Sequence, residues 1–155
     1  MHWKASQRKP PKYDYLKYYK IVRQWVKYKY GVSLENLEML LFLRSEKYFT
    51  NKDMDRYSKN FPWNKNRLRD LRNAGWVSVW REGKGNKANY YTLSPKANSM
   101  IDKLYGILEG DIEMDLDWAE NGNYTTRRYV DQIKAMNREL REFRRQQRRP
   151  FLGSQ

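Results

Sequence analysis

Residues 62–97 read PWNKNRLRDLRNAGWVSVWREGKGNKANYYTLSPKA, and this stretch decides the fold. Its first part predicts a helix, because Pro62 suits a first helical turn and Ala74-Gly75 suits a helix end. Leu68 and Leu71 give this helix a single apolar edge. The side chains away from that edge are Trp63, Lys65, Asn66, Arg67, Arg69, Asp70, Arg72 and Asn73. A helix with Leu inside and Asn and Arg outside is suited to contact an anionic or hydrogen-bonding surface.

Two short strands follow this helix. In residues 76–80, Trp and Ser alternate with Val, which is the period of two that a strand requires. Residues 90–93 are mostly strand formers, and the Gly-rich residues 82–87 predict a hairpin loop between the two strands. Ser94-Pro95 then begins another helix, with Ser94 as the N-cap. The order predicts a mainly α fold with a small β-hairpin wing (α+β): a winged helix-turn-helix core with N- and C-terminal helical extensions.

The composition is strongly basic. The chain of 155 residues has 32 Lys plus Arg against 18 Asp plus Glu, a formal net charge of +14 that favours nucleic acid or another acidic surface as partner. It has no cysteine, which excludes disulfides, thiol catalysis and Cys-ligated zinc. No apolar run approaches the roughly 20 residues of a membrane span, and the N-terminus has no signal-peptide core. We therefore expect an intracellular protein (cytoplasm or nucleoid) that does not enter a membrane.

Three helices are predicted ahead of the central stretch. Residues 1–11 are expected to be a basic arm, either a disordered tail or an arm that lies along nucleic acid or a partner. A winged-helix domain is expected over residues 12–108. Its first helix runs over residues 12–30, with a stripe that includes Ile21, Val22, Trp25 and Val26. Ser33 and Thr50 are the expected N-caps of the next two helices. The short helix of residues 51–59 keeps Lys52 and Arg56 outside.

The C-terminal third changes character twice. Residues 109–124 are an acidic linker, either solvated or paired with a basic arm of this chain or of a neighbour. Residues 125–149 predict a basic amphipathic helix, and residues 150–155 a tail. Apolar residues recur along this helix at spacings of four and three, which is the pattern of a coiled-coil seam. We expect this seam to pack against the body of the protein or against a partner subunit. The seam residues are Tyr129, Ile133, Met136, Leu140 and Phe143.

The element order resembles the winged helix-turn-helix regulators of the multiple-antibiotic-resistance (MarR-like) type. The resemblance covers about residues 33–108 and is carried by Leu37–Leu43, by residues 67–77 (RLRDLRNAGWV) and by residues 91–97 (YTLSPKA). The family's Leu-Thr-x-x-Gly pattern is matched by Leu93 to Ala97, with Ser for Thr and Ala for Gly. Family wings often carry Asp-x-Arg where this chain has residues 83–87, GKGNK. The resemblance implies DNA binding and transcription regulation.

In this fold the polar helix enters the major groove of double-stranded DNA. Asn66 and Arg67 are the best base-reading candidates, because Asn pairs with adenine edges and Arg with guanine edges. Lys65, Arg69 and Asn73 are expected near phosphates or base edges. For Trp63 two roles stay open: its ring stacks on bases or sugars, or it packs in the core. The wing and backbone contacts are expected from Lys52, Arg56, Arg81, Lys84, Asn86 and Lys87.

An enzymatic role is not expected. The chain has one histidine, His2, and no Ser-His or Cys-His arrangement. The acidic residues before Gly122 do not match the spacing of a calcium loop. No catalytic residue, metal site or cofactor is predicted.

Two functions fit these features. The first is a sequence-specific DNA-binding regulator that acts as a homodimer, or a larger assembly, through its first and last helices. The second is a structural component of a nucleoprotein particle, for example a virion, which reuses the winged helix and the basic arms for assembly. The second would place the protein within a virus particle.

Overall fold

The chain folds into helices with one small sheet. The computed structural model describes residues 16–122 and 124–148. In that part of the chain the elements are α1 (Tyr19–Tyr30), α2 (Leu34–Glu46), α3 (Asn51–Tyr57), α4 (Lys65–Asn73), β1 (Val77–Arg81), β2 (Tyr90–Leu93), α5 (Pro95–Leu108), α6 (Asp117–Glu120), α7 (Tyr124–Arg127) and α8 (Val130–Arg148). The predicted mainly α fold with a β-hairpin is confirmed. The predicted arm of residues 1–11, the predicted helical residues 12–15 and the tail of residues 150–155 lie outside the described residues.

Residues 30–104 form one compact unit, which contains α2 to β2. Its core is built on α2, whose Leu37, Met39, Leu40 and Leu43 are fully buried. β1 and β2 pair as an antiparallel hairpin, and Phe49 adds a single bridge to Tyr91 through two backbone hydrogen bonds of 3.0 and 2.8 Å. The remaining core side chains are Leu68, Leu71, Trp76, Val77, Leu93, Ala97, Met100, Ile101 and Leu104.

Polar side chains fix where these helices begin. The N-caps expected at Ser33, Thr50 and Ser94 are confirmed: each hydroxyl accepts the backbone N–H three residues later, at 3.1–3.2 Å. At Thr50 the Asp53 carboxylate also accepts the Thr50 N–H at 2.9 Å, which completes a capping box.

The predicted start of α4 at Pro62 is wrong. The helix begins at Lys65, because Asn64 is its N-cap and accepts the Arg67 N–H at 3.0 Å. Residues 61–63 ahead of it are extended or bent, and the Trp63 ring packs between aromatic side chains. An Asn that caps a helix and an anchored Trp together outweigh the preference of Pro for a first helical turn.

The second compact unit contains residues 16–29 and 105–148. In α1, Ile21, Val22, Trp25 and Val26 are buried, as expected. The acidic segment packs within this unit: Met114, Trp118 and Ala119 are buried, and the Asn137 side chain exchanges two hydrogen bonds of 3.0 Å with the Met114 backbone. The segment's carboxylates pair with basic side chains, as Asp111 with Arg144 and Arg148, Glu113 with Arg141, and Asp115 with Lys29.

The last helix differs from its prediction in two ways. It is interrupted between α7 and α8, at residues 128 and 129. Within α7, Thr126 is buried and its hydroxyl donates to the Ala119 carbonyl at 3.2 Å. The seam residues are also used inside the chain. Tyr129, Ile133 and Met136 are buried within their own unit, and only Leu140 and Phe143 remain half-buried. A partner subunit is therefore not needed to cover the first three.

Gly75 provides a test of the turn that joins α4 to β1. Its φ is +85°, its N–H bonds the Arg72 carbonyl at 3.0 Å, and the Trp76 N–H bonds the Leu71 carbonyl at 2.9 Å. No atom lies within 4 Å of a Cβ built there, so only the backbone conformation opposes a side chain. We expect Gly75→Ala to lower the free energy of unfolding by about 1 kcal/mol in urea titrations. Gly75→Asn should lose less, because Asn tolerates positive φ; equal stability of all three proteins would contradict this.

Asp115 provides a test of the second unit. Burial alone raises the pKa of its carboxyl, but hydrogen bonds from Lys29 (3.0 Å) and the Trp25 indole (3.0 Å) outweigh burial and hold the pKa below its ordinary value of 3.8. Because the pKa of Asp115 is lower in the folded state, its ionised form stabilises the fold. This stabilisation is fully present at pH values above the unfolded-state pKa, and it is lost as the pH falls through the folded-state pKa. We expect Asp115→Asn to lower the Tm at neutral pH, and the difference to shrink as the pH falls below 3.8 and through the lowered folded-state pKa of Asp115. A difference that is independent of pH would refute the ion pair as its cause.

Candidate nucleic-acid interface

The exposed face of α4 is set by its two apolar residues. Leu68 and Leu71 are 2% exposed, and no other apolar residue lies within the helix. Their burial turns the rest of the helix outward. The exposed residues are Lys65, Asn66, Arg69, Asp70, Arg72 and Asn73.

Three of the predicted residues on this face are free to meet a ligand. Asn66, Arg69 and Asn73 have no side-chain hydrogen bond or ion pair among residues 16–122 and 124–148. Lys65 differs, because its ammonium lies 3.2 Å from the Asp55 carboxylate of α3 in an exposed ion pair. An exposed pair of this kind contributes little to stability and can open towards a phosphate.

Arg67 is held by α2. Its guanidinium Nη1 lies 3.0 Å from the Glu35 carboxylate and 3.5 Å from the Asn36 side-chain oxygen, and the side chain is 27% exposed. The predicted base-reading role of Arg67 would require it to leave this pair. Glu35 is 32 residues away in the sequence, and no local pattern signals the contact.

Trp63 lies in the interior of its unit, not on the outer face of α4. It is 6% exposed and precedes the helix. Its ring centroid is 4.4 Å from that of Phe61 and 5.1 Å from that of Phe42. The packing leaves Trp63 no face to stack on a base, so of its two open roles the structure supports the core.

α3 contributes two further cations beside this face. Lys52 and Arg56 are exposed, Lys52 in the first turn and Arg56 in the last. Arg56 stays close to its own helix, 3.5 Å from the Asp53 carboxylate and over the Tyr57 ring at 5.3 Å. Lys52 is the better placed of the two for an external anion.

The wing is a hairpin with a shaped, basic tip. Arg81, Lys84, Asn86 and Lys87 are all exposed, as predicted. The loop keeps its shape through a Gly83 N–H bond to the Asn89 side chain at 2.8 Å and a Lys87 N–H bond to the Lys84 carbonyl at 3.2 Å. A Cβ at Gly83 would lie 1.8 Å from the Lys87 carbonyl oxygen, so only glycine fits there. The loop has two basic residues, Lys84 and Lys87, and one acid, Glu82, and Arg81 at the end of β1 adds a third cation beside it.

Among residues 16–122 and 124–148, no group of three or more His, Asp or Glu side chains is placed to hold a metal ion. In the same part of the chain, no helix combines the length and the apolar character needed to cross a membrane.

Comparison with known proteins gives structural similarity only. No family model and no curated protein sequence matches the chain. Among solved structures, the chain is similar to reduced AbfR bound to DNA (16% identity, 81% of this chain and 86% of that chain, TM-score 0.41). It is similar to AbfR of Staphylococcus epidermidis (15%, 82% and 85%, TM-score 0.43). A third similar structure is a MarR family protein of Mycobacterium tuberculosis in complex with salicylic acid (15%, 84% and 97%, TM-score 0.39).

Proposed function

We propose that the chain is a duplex-DNA-binding transcription regulator, with α4 in the major groove and the wing on the adjacent backbone or minor groove. The observation that carries the proposal is the outer face of α4. Asn66, Arg69 and Asn73 stand exposed and unpartnered in the described part of the chain, on a helix whose other side is anchored by two buried leucines. A helix built in this way presents donors and acceptors at the spacing of base edges and phosphates.

The roles divide by chemistry. Asn66 is assigned to an adenine edge, where its amide makes a bidentate pair. Arg69 and Asn73 meet phosphates or a base edge, and Arg67 reaches a guanine only after release from Glu35. Lys65, Lys52 and Arg56 hold flanking phosphates, and Arg81, Lys84, Asn86 and Lys87 hold the backbone beyond the groove.

The proposed regulator acts inside the cell, at the nucleoid, as a homodimer through α1 and α8. Both helices belong to the same compact unit, and Lys17 and Tyr18 at the start of α1 bond Glu139 of α8. Leu140 and Phe143 continue the buried seam and keep part of their surface exposed. A two-fold symmetric pair predicts two half-sites about 34 Å, or one helical turn, apart.

A second candidate is a component of a nucleoprotein particle, such as a virion, that binds nucleic acid without reading its sequence. The observation that favours it is the basic surface of α7 and α8 and the turn between them. The exposed basic residues there are Arg127, Arg128, Lys134, Arg138, Arg141, Arg145 and Arg148. In this reading the α8 surface carries as much of the affinity as α4.

Arg69→Gln and Arg138→Gln separate the two candidates, because each removes one exposed positive charge. The duplex is first selected from a random-sequence pool at roughly physiological salt, since charge-driven binding depends on salt. For a regulator, Arg69→Gln should weaken binding by roughly tenfold and reduce the magnitude of the salt slope by about 1, and Arg138→Gln should change little. Asn66→Ala should relax the base preference at one position of the selected site. The difference in binding free energy between the preferred base and the others there should fall by about 1–3 kcal/mol.

Two other results of this experiment would contradict the regulator or its reading element. Selection without enrichment, together with equal losses in Arg69→Gln and Arg138→Gln, would support the particle component. Enrichment of a palindrome that Arg69→Gln and Asn66→Ala leave unaffected would refute α4 as the reading element. The solution mass, measured on the same samples, tests the proposed dimer.

Glu35 and Glu38 test the restraint on Arg67. Both are exposed acids of α2, but only Glu35 bonds Arg67, and Glu38 has no ion pair in the part of the chain that the structure describes. Glu35→Gln should tighten duplex binding by up to roughly fivefold, because it removes a carboxylate that competes with DNA for the guanidinium. Glu38→Gln adds the same net charge and should have a smaller effect. Equal effects of the two variants would show that only net charge matters.

A further inference from the structure

Three large aromatic rings lie exposed together at the base of the wing. Tyr48, Trp80 and Tyr90 keep 47, 52 and 43% of their surface exposed. The Trp80 ring centroid is 4.2 Å from that of Tyr48, at an interplanar angle of 33°, and 6.4 Å from that of Tyr90, at 84°. We refer to Tyr48, Trp80 and Tyr90 as the aromatic platform. Contiguous exposed apolar surface of this kind marks an interaction site.

The alternation of β1 places Trp80 in the platform. Val77 faces the core, so Trp80, three residues later, lies on the opposite, outward face of the hairpin. Tyr90 is exposed on the neighbouring strand, whereas the next residue, Tyr91, is buried. A β-bulge lies at the same point, because β1 pairs Val79 with Tyr91 and Arg81 with Tyr90 and leaves Trp80 without a partner residue in β2.

A strained turn places Tyr48 against Trp80. Lys47 has φ +68° and ψ −61°, and the Tyr48 N–H bonds the Glu46 carbonyl at 2.9 Å, which together define a γ-turn. A non-glycine residue in this conformation costs about 1–3 kcal/mol unless its surroundings fix it. Here the Thr92 hydroxyl donates to the Lys47 carbonyl at 2.8 Å and holds the turn against β2. The strained turn and the bulge thus both lie next to the aromatic platform.

The charges around the platform indicate its partner. Lys47 and Arg81 directly adjoin Tyr48 and Trp80 in the sequence, and both are exposed. The loop beyond Arg81 has Lys84 and Lys87 against the single acid Glu82. Exposed rings bordered by cations match a ligand that combines flat apolar faces with phosphates.

We propose that the aromatic platform stacks on unpaired bases, so that the base of the wing binds single-stranded nucleic acid while the flanking cations hold its phosphates. This goes beyond the proposed duplex binding by α4. Bases in a duplex are already stacked on each other, whereas an unpaired base exposes its faces to an aromatic side chain. The same chemistry serves an opened DNA duplex and an RNA strand.

Trp80→Leu tests the proposal, because it keeps an apolar side chain and removes the π face. Labelled oligothymidine and oligouridine of about 12 nucleotides, a length within the usual single-strand site sizes, would be titrated by fluorescence anisotropy. We expect Trp80→Leu to weaken binding to at least one of them by roughly tenfold, and Trp80→Phe to recover most of the loss. The better of the two ligands identifies the source as DNA or RNA.

Two controls isolate stacking from charge and from folding. Tyr124→Leu removes a highly exposed tyrosine outside the platform and should leave binding unchanged. An abasic oligomer keeps the phosphates and lacks the bases, so its binding should be weaker and indifferent to Trp80→Leu. Tyr48→Leu should repeat the Trp80→Leu loss from a distant point in the chain, which guards against misfolding of one variant.

Three results would overturn the proposal. The first is that the protein binds neither single strand, and the second is that Trp80→Leu weakens single-strand and duplex binding equally. The third is that the protein binds the abasic oligomer as strongly as the normal oligomer. Any of them would exclude stacking on unpaired bases as the role of the platform. The duplex function is tested separately by Arg69→Gln, so failure of one proposal leaves the other measurable.

Discussion

The arrangement of the proposed interface depends on the burial of Leu68 and Leu71. α4 has nine residues and only these two are apolar, so its rotation about its own axis has one solution that removes both from water. That solution places Asn66, Arg69 and Asn73 outside. The turn at Gly75 then directs the chain into β1 with Trp76 buried beside it. The direction of the polar face and the position of the wing therefore follow from the burial of two leucines.

Some basic side chains of the protein are held in ion pairs, and others are available to an external anion. In the unit of residues 16–29 and 105–148, acids at 111, 113 and 115 are paired with Lys29, Arg141, Arg144 and Arg148. In the unit of residues 30–104, Arg69 of α4 and the basic residues of the wing tip have no ion pair in the described part of the chain. A net charge of +14 alone does not distinguish these surfaces. The ion pairs show which cations of the described residues are available in each unit, among them Arg69 in one and Arg138 in the other, since an unpaired cation meets a phosphate without first losing a carboxylate.

Local chemistry made much of the fold predictable from the sequence. The caps at Ser33, Thr50 and Ser94, the glycine stop at residue 75 and the alternation of β1 each depend on residues within five positions of one another. The start of α4 is set by two local preferences in competition, in which the Asn64 cap prevails over Pro62. The position of Trp63 and the restraint on Arg67 depend on tertiary contacts with α2. A contact between residues 35 and 67 leaves no periodic trace in the sequence. The interruption of the last helix after Arg127 likewise has no signal in the apolar spacing of the sequence.

The wing joins two surfaces with different selectivity. Its tip has cations on a backbone that Gly83 and Asn89 hold in shape, and cations attract the phosphates of paired and unpaired strands alike. Its base has three exposed rings, and one of them directly follows the strained turn at Lys47. Exposed rings stack on the face of an unpaired base, whereas bases inside a duplex already cover each other's faces. The base of the wing therefore offers what the cations of the tip do not, a surface able to distinguish an unstacked base from a stacked one.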